Sequence, residues 1–448
     1  YPFIQINYTT LYHLIFVVKI KNNMRICIIG SGLTSLALAK ALVNQNIYVD
    51  ILRDKKKQII DQSRTIGITK SNVEYFNNNI INIDRVIWKL NKIEIFSDKL
   101  NQEKLLEFQN EHQELFSMVR SFDIYNILEK SLKRNKFFKI QNKMNLKNIQ
   151  NKYNLLINLN FSNLITKKFF SKKITKKYKS SAYTLILEHE KISNKIARQV
   201  FTKIGPLAFL PISDKKTSIV YSIKNSAKIK KENLIELIKL HNPNYKIKEF
   251  KKISSFELLS GNLRSYYHKN ILAFGELIHK IHPLAGQGFN MTIRDIKILL
   301  EIIQNKIDLG LPINSSVNQE FQKKTKHRNF IFSNGIDFVY EFFNFEENIK
   351  NKFFSNSLKH LGSNNSVNNI LKKLYDTNFF DNVYIKFLNN KFEITVKENP
   401  IIQSVNIEGV KASKIKDQIT KNLNLKSRSS FNKILLKKDK ENIKNVLK

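Results

Sequence analysis

The apolar positions change rhythm along the chain, and each rhythm predicts an element. In MRICIIGSGLTSLALAKALVNQNIYVDIL (Met24–Leu52) a continuous apolar run predicts a buried strand over Arg25–Ile29. A helix over Leu36–Asn44 and a second strand over Tyr48–Leu52 complete a βαβ unit. Near residue 270, ILAFGELIHKIHPLAGQGFNMTIRDIKILLEII repeats the scheme. It predicts a strand over Ile271–Phe274, a polar turn, a glycine-containing loop and a long helix over Phe289–Ile303. Alternation of apolar and polar residues around an Asn-Asn turn predicts a β-hairpin over Tyr384–Pro400, and Lys411–Lys448 is helical in pattern and strongly basic. Leu11–Ile20 is apolar but far short of the roughly 20 residues that span a bilayer, and it lacks the flanks of a signal peptide.

Composition narrows the classes. With 448 residues, 42% hydrophobic and 25% charged, the chain is long enough for two or three globular domains. Fibrous and wholly disordered classes are excluded. One cysteine, Cys27, excludes a disulfide framework and a cysteine-rich zinc site, and its place in the first strand reads as packing. The formal charge of +39 suggests an anionic partner. However, Lys, Asn and Ile crowd every segment while Gly and Pro are scarce, as A/T-rich codons dictate, and the basic residues form no single stripe. No specific nucleic-acid partner is expected.

The chemistry begins with Gly30-Ser31-Gly32-Leu33-Thr34-Ser35. Gly30 permits a tight turn, Gly32 lets backbone approach a pyrophosphate, and Ser35 is the small third residue that allows close helix–strand packing. The helix start then offers N–H groups and a positive dipole end to phosphates. The acidic residue expected at the end of the second strand falls on Arg53, and Asp54 stands one place late as a substitute. The loop before the second helix is another anion- or flavin-facing device.

The two segments together resemble the FAD-dependent aromatic-ring monooxygenases, in particular the ubiquinone-biosynthesis hydroxylases related to p-hydroxybenzoate hydroxylase. The family's Gly-Asp motif appears as Gly275-Glu276, followed by His282-Pro283-Leu284-Ala285-Gly286-Gln287-Gly288, Asn290 and Arg294-Asp295. Ser63–Thr69 is similar to the family's arginine-bearing stretch, Ser121–Leu132 to the helix beside the cofactor, and Gly205–Pro211 to a substrate-domain strand. The resemblance covers about residues 24–370. It departs in two places. Glu276 stands for an aspartate that bonds the flavin's sugar chain, and after Tyr153–Leu159 the chain reads NLNFSN where the family has Asp-Gly.

The resemblance implies hydroxylation of an aromatic ring, a prenylated phenol of ubiquinone biosynthesis, through a flavin hydroperoxide. FAD, O2, a lipophilic aromatic substrate and NAD(P)H or another electron donor would take part, and the lost Asp-Gly leaves the donor open. It places Arg64 beside the flavin, Pro283 near the ring as the catalytic position, and the backbone of Gly286, Gln287 and Gly288 at the pyrimidine edge. His282 reads as a structural hydrogen-bonding residue ahead of a base. His279 and His282 lack partners at ligand spacing, so no metal is expected. A cytoplasmic enzyme with peripheral contact to the inner membrane or a ubiquinone-biosynthesis complex suits such a substrate. The aromatic-rich stretch Phe330–Phe345 reads equally as plain core packing and as a surface that lines a lipid-quinone pocket or docks on a membrane.

Beyond residue 370 the chain resembles the POTRA domains of the outer-membrane barrel-assembly protein, on Leu374–Phe380, the hairpin, Val396–Pro400 and Gly409. The expected fold is therefore α/β, a Rossmann-type FAD-binding domain with a β-sheet substrate domain and C-terminal helices, plus a small α+β POTRA-like tail. Expected boundaries are 1–23 as an upstream leader before a start at Met24, 24–180 and 261–310 for the FAD-binding parts, and 181–260 for the substrate sheet. Residues 311–369 form helices, with a break at Leu361–Asn369, and 370–448 the tail, read as a joined fragment. The alternative function is a polypeptide-binding assembly fragment carried by that tail.

Overall fold

A computed structural model describes residues 24–53, 61–98, 104–109, 114–141, 149, 152–225, 231–251, 253–281, 288–348, 380–388, 391–398, 402–410, 412–427, 436 and 439–444. The chain forms two compact units. The first is Tyr1–Ile93 with Gln109–Asn348, and the second is Glu94–Phe108 with Ile349–Lys448.

The first unit contains a six-stranded sheet in the order Tyr267–His268, Ile271–Ala273, Leu155–Asn158, Arg25–Ile29, Tyr48–Leu52, Phe138–Gln141. All its pairings are parallel except the one at the Tyr267–His268 edge. Strands buried on both faces need continuous apolar runs. Ile26, Cys27 and Ile28, Leu155 to Ile157, and Leu272 and Ala273 supply them at 0% exposure. Helix Leu33–Val43 starts three residues earlier than the apolar pattern suggests. It packs against helices Ser121–Lys133 and Gly288–Asp308. The Cys27 thiol is pushed up to about 12 by burial, with the charge of Asp50 adding to the shift.

The substrate-type sheet is antiparallel. Its order is His279–Lys280, Ser254–Leu263, Lys173–His189, Lys216–Lys224, Gly205–Pro211, Ile196–Thr202. It begins at Lys173, ahead of the expected boundary at 180, and Ser254–Leu263 runs across the one at 260. One face packs Leu185, Leu187, Leu207, Phe209, Ile219 and Tyr221 beneath helix Lys231–Leu240, through Leu234 and Ile238. At the turn into Gly205–Pro211, Gly205 has φ +138°, and a Cβ there would lie 1.9 Å from the carbonyl oxygen of Ser222. A small sheet of Thr65–Thr69, Phe116–Arg120 and Trp88–Leu90 accompanies the larger two.

In the second unit, Phe380–Leu388 and Lys391–Glu398 form the expected hairpin, with Leu388 opposite Lys391. Lys391–Glu398 also pairs in parallel with Lys104–Gln109, a partner far away in sequence. Of the expected helical tail, Ser413–Asn422 is a helix, and buried Asp439 accepts from the backbone N–H groups of Asn424 and Leu425 at 2.8 Å each. Residues 1–23, the break at 361–369 and most of 374–380 lie outside the described residues. No helix among the described residues is long and apolar enough to cross a membrane.

Candidate functional site

In doubly wound sheets, ligands bind beyond the carboxyl ends of the strands, where the strand order reverses. Here that point lies between Arg25–Ile29 and Leu155–Asn158, because the chain first builds outward through Tyr48–Leu52 and later returns to the other side. The first glycine turn sits there. Gly30 has φ +138° and donates its N–H to the carbonyl of Leu52 at 3.1 Å. A Cβ on Gly30 would come within 3.1 Å of Ser35 Oγ and 3.3 Å of Leu159 Cβ. Ser35 is buried, in the close-packing place expected of it. Gly32 is the residue before the helix, with φ −77° and ψ 178°. Any residue adopts that extended backbone, so the case for glycine there is room for an approaching group.

The second glycine turn meets the first. Gly275 has φ +64°, and a Cβ on it would lie 2.9 Å from Thr34 Cγ2 and 3.5 Å from Leu159 Cδ2. Two motifs far apart in sequence thus abut across Leu159. Next to Gly275, Glu276 Oε1 accepts from Arg64 Nη2 at 2.9 Å, which brings two of the expected contacts together. Partial desolvation works against the Glu276 charge, yet the Arg64 guanidinium, with Lys280 and His279 behind it, holds the carboxyl below its usual range.

The long helix begins at Gly288, where a Cβ would lie 4.0 Å from Ile281 Cγ1, its one neighbour within that distance among the described residues. Asn290, expected as a cofactor contact, makes a clasp within the protein. Its Oδ1 accepts from the Thr69 N–H at 3.0 Å and from Asn72 Nδ2 at 2.9 Å. Its Nδ2 donates to the carbonyl of Gly67 at 2.8 Å. Asp54, His282, Pro283, Gly286 and Gln287 lie outside the described residues.

Three arrangements escape motif reading. Arg53, where a ribose-binding acid is expected, donates to Glu129 Oε1 at 2.8 Å, so helix Ser121–Lys133 brings a carboxylate to the strand end. The pairing is long-range and leaves no local signal. The NLNFSN segment closes on itself: Asn158 Nδ2 donates to Thr166 Oγ1 at 2.7 Å, Asn163 Nδ2 donates to Asn158 Oδ1 at 2.8 Å, and Asn163 caps helix Leu164–Phe169. Its density of asparagines was the available signal. Finally, His279 Nε2 lies 2.8 Å from Asp295 Oδ2, both buried, and Arg294 Nη2 reaches Asp295 Oδ1 at 3.2 Å. His279 thus has a carboxylate partner that its spacing to His282 concealed. Among the described residues no cluster fit for a metal occurs.

The antiparallel sheet adjoins this site through Ser63 and Thr65, which flank Arg64. Ser63 Oγ lies 3.1 Å from Thr184 Oγ1, and Thr65 Oγ1 donates to Ser218 Oγ at 2.8 Å. Thr184 and Ser218 stand on the face opposite the Leu185 and Ile219 core. The donor set fits a dinucleotide: a glycine turn without a Cβ, a helix start beyond it, a second turn against it and a carboxylate at hand.

Comparison with known proteins agrees with this geometry. No family model matches the chain. It is 31% identical over 150 residues to 3-demethoxyubiquinol 3-hydroxylase of Escherichia coli (strain K12), covering 32% of this chain and 38% of that protein. It is 28% identical over 164 residues to the mitochondrial ubiquinone biosynthesis monooxygenase COQ6 of Caenorhabditis elegans, covering 27% and 36%. The chain therefore spans about two fifths of the length of the curated relatives it matches. Among solved structures, p-nitrophenol 4-monooxygenase PnpA from Pseudomonas putida superposes with TM-score 0.61 at 9% identity, over 79% of this chain and 98% of that one. HpxO of Klebsiella pneumoniae, complexed with FAD and uric acid, superposes with TM-score 0.56 at 11% identity, over 80% and 97%. The mixed α/β fold is that of FAD-dependent monooxygenases.

Proposed function

We propose that the chain is an FAD-dependent monooxygenase that hydroxylates an electron-rich aromatic ring, with a prenylated phenol of ubiquinone biosynthesis as the substrate class. The carrying observation is the abutment of the Gly30 and Gly275 turns across Leu159 at the switch point of the parallel sheet. FAD supplies the redox chemistry, with O2 and an electron donor such as NAD(P)H. The backbone of Gly30 and Gly32 and the start of helix Leu33–Val43 hold the pyrophosphate. Glu276 takes the sugar chain, and Arg64 orients Glu276. Ser63, Thr65, Thr184 and Ser218 tie the substrate sheet to the cofactor fold. Pro283 and the Gly286 to Gly288 backbone are assigned to the ring by resemblance, with His282 as a supporting hydrogen-bonding residue.

The test is the absorption spectrum of the purified protein after incubation with FAD, where bound flavin gives bands near roughly 370 and 450 nm. It is followed by incorporation of labelled oxygen from O2 into a prenylated phenol. Protein that takes up no flavin removes the proposal at its first step. Protein that binds flavin and transfers no oxygen removes the substrate class alone.

A second reading concerns residues 370–448, whose hairpin and following helix support a POTRA-like, polypeptide-binding tail. Saturable binding of an extended peptide by the full chain, lost when residues 370–448 are removed, is the expected result. Equal binding by the shortened chain ends that reading.

A further inference from the structure

A cavity of about 460 Å3 opens between the substrate-type sheet and the long helix Ser315–Asn348, and it shares no residue with the glycine turns. Lys323, Lys326, His327 and Phe330 line it from the helix, at the i, i+3, i+4 and i+7 spacing that puts them on one face. Arg264 and Ile174 line it from the sheet side. Among the described residues no carboxylate lines the cavity, and no ion pair joins Arg264, Lys323, Lys326 or His327 to an acid. Phe330 is 44% and Ile174 52% exposed beside these cations.

Unpaired cations in a concave groove attract phosphate, and a small soluble anion would satisfy them. It would leave Phe330 and Ile174 in water. A bilayer surface takes both kinds of group at once, with phosphates at the cations and the hydrocarbon boundary at the apolar side chains. Long lysine side chains suit such a boundary, because their stems lie along apolar surface while the ammonium stays with the headgroups.

We propose that this groove docks the first unit onto anionic phospholipid bilayers, with Arg264, Lys323, Lys326 and His327 against lipid phosphates and Phe330 and Ile174 entering the interface. The proposal stands on this surface and does not depend on the flavin reading.

A chain of formal charge +39 is drawn to any anionic surface, so the test compares two variants of equal charge. The full-length protein is sedimented with phosphatidylcholine vesicles containing phosphatidylglycerol, at low and near-physiological salt. R264Q/K323Q/K326Q is set beside K130Q/K136Q/K139Q, whose exposed lysines lie elsewhere on the same unit. The groove variant is expected to lose about a hundredfold in vesicle affinity, and the control less than about threefold. Lys326→Gln alone, the milder change should the triple variant misfold, loses about fivefold. Phe330→Ser removes the binding that survives near physiological salt, because the apolar part is not screened. Equal losses in both triple variants overturn the proposal, as does full retention of high-salt binding by Phe330→Ser. Displacement from vesicles by inorganic phosphate at constant ionic strength also overturns it and marks a small-anion site.

Discussion

In the parallel sheet, Ile26, Cys27 and Ile28 follow one another and all are fully buried. In the antiparallel sheet, Leu185 and Leu187 are buried under a helix, while Thr184 between them faces the neighbouring Ser63. The first sheet has no face to spare, and its chemistry sits on the turns at its strand ends. The second keeps a face for polar contacts, so chemistry sits along the strand. Substitutions are therefore expected to teach different things in the two places: a side chain added at Gly32, on extended backbone, tests for a ligand, whereas one added at Gly205 tests the fold.

Gly205→Ala is the largest expected effect. The new Cβ would meet the Ser222 carbonyl at 1.9 Å with φ at +138°, and neither backbone can yield cheaply. A loss of about 3–5 kcal/mol is expected. Urea unfolding followed by the fluorescence of Trp88, the sole tryptophan, reads it locally, since its Nε1 donates to the carbonyl of Asn194 beside this sheet. An unchanged midpoint would mean the turn is not as tight as drawn.

At the parallel sheet, Gly275→Ala meets a side-chain methyl, Thr34 Cγ2, at 2.9 Å, so Thr34 can turn away at smaller cost, about 1–3 kcal/mol. Gly32→Val, on extended backbone, should leave stability within about 1 kcal/mol while flavin retained after gel filtration collapses. If Gly32→Val unfolds the chain, the separation of ligand turn from fold turn fails.

A smaller loss belongs to the seam between the sheets. Ser218→Ala removes one hydrogen bond from Thr65, for about 1 kcal/mol by the same urea midpoint. The smallest concerns Glu276. Its carboxyl is depressed in the folded chain, so its contribution is present above the ordinary carboxylate value of about 4.3 and is lost as pH falls through the folded value. With both side chains more than 40% exposed, the Arg64 pair is discounted to well under about 1 kcal/mol and weakens with salt. Glu276→Gln should flatten the acid limb of a stability profile below about pH 4.3 and leave the neutral region nearly unchanged. An acid limb as steep as that of the parent chain would assign the effect to another group.

The same contrast explains what the sequence discloses. The Gly30 turn is written locally, in an apolar run, two glycines and a helix pattern, so the strand, the turn and the helix are all legible. The Gly275 turn is legible as a motif, but its seat against Thr34 follows from strand order, which no local pattern carries. The Arg53 and Glu129 pair and the His279 and Asp295 pair join separate elements, and each member alone reads as an ordinary charged or core residue. Asn290 shows the reverse limit: its place in a known motif points toward a ligand, while its side chain holds a helix start to Gly67, Thr69 and Asn72. The helix Leu33–Val43 outruns its predicted start because the glycine turn, and not the apolar pattern, sets where it begins.

Cys27 turns the comparison into something that can be timed. It is the chain's sole cysteine, at 0% exposure in the middle of the parallel sheet, with its thiol pushed up to about 12. An alkylating reagent needs the thiolate and a clear approach, and the closed sheet denies both. Labelling therefore proceeds only through molecules whose sheet has parted, and its rate under native conditions counts those openings one by one. Trp88, on the small sheet and packed against Ala197 at the edge of the antiparallel one, gives an optical signal from that side, so the interval between the two readouts tells whether the parallel sheet and this seam come apart together or in turn.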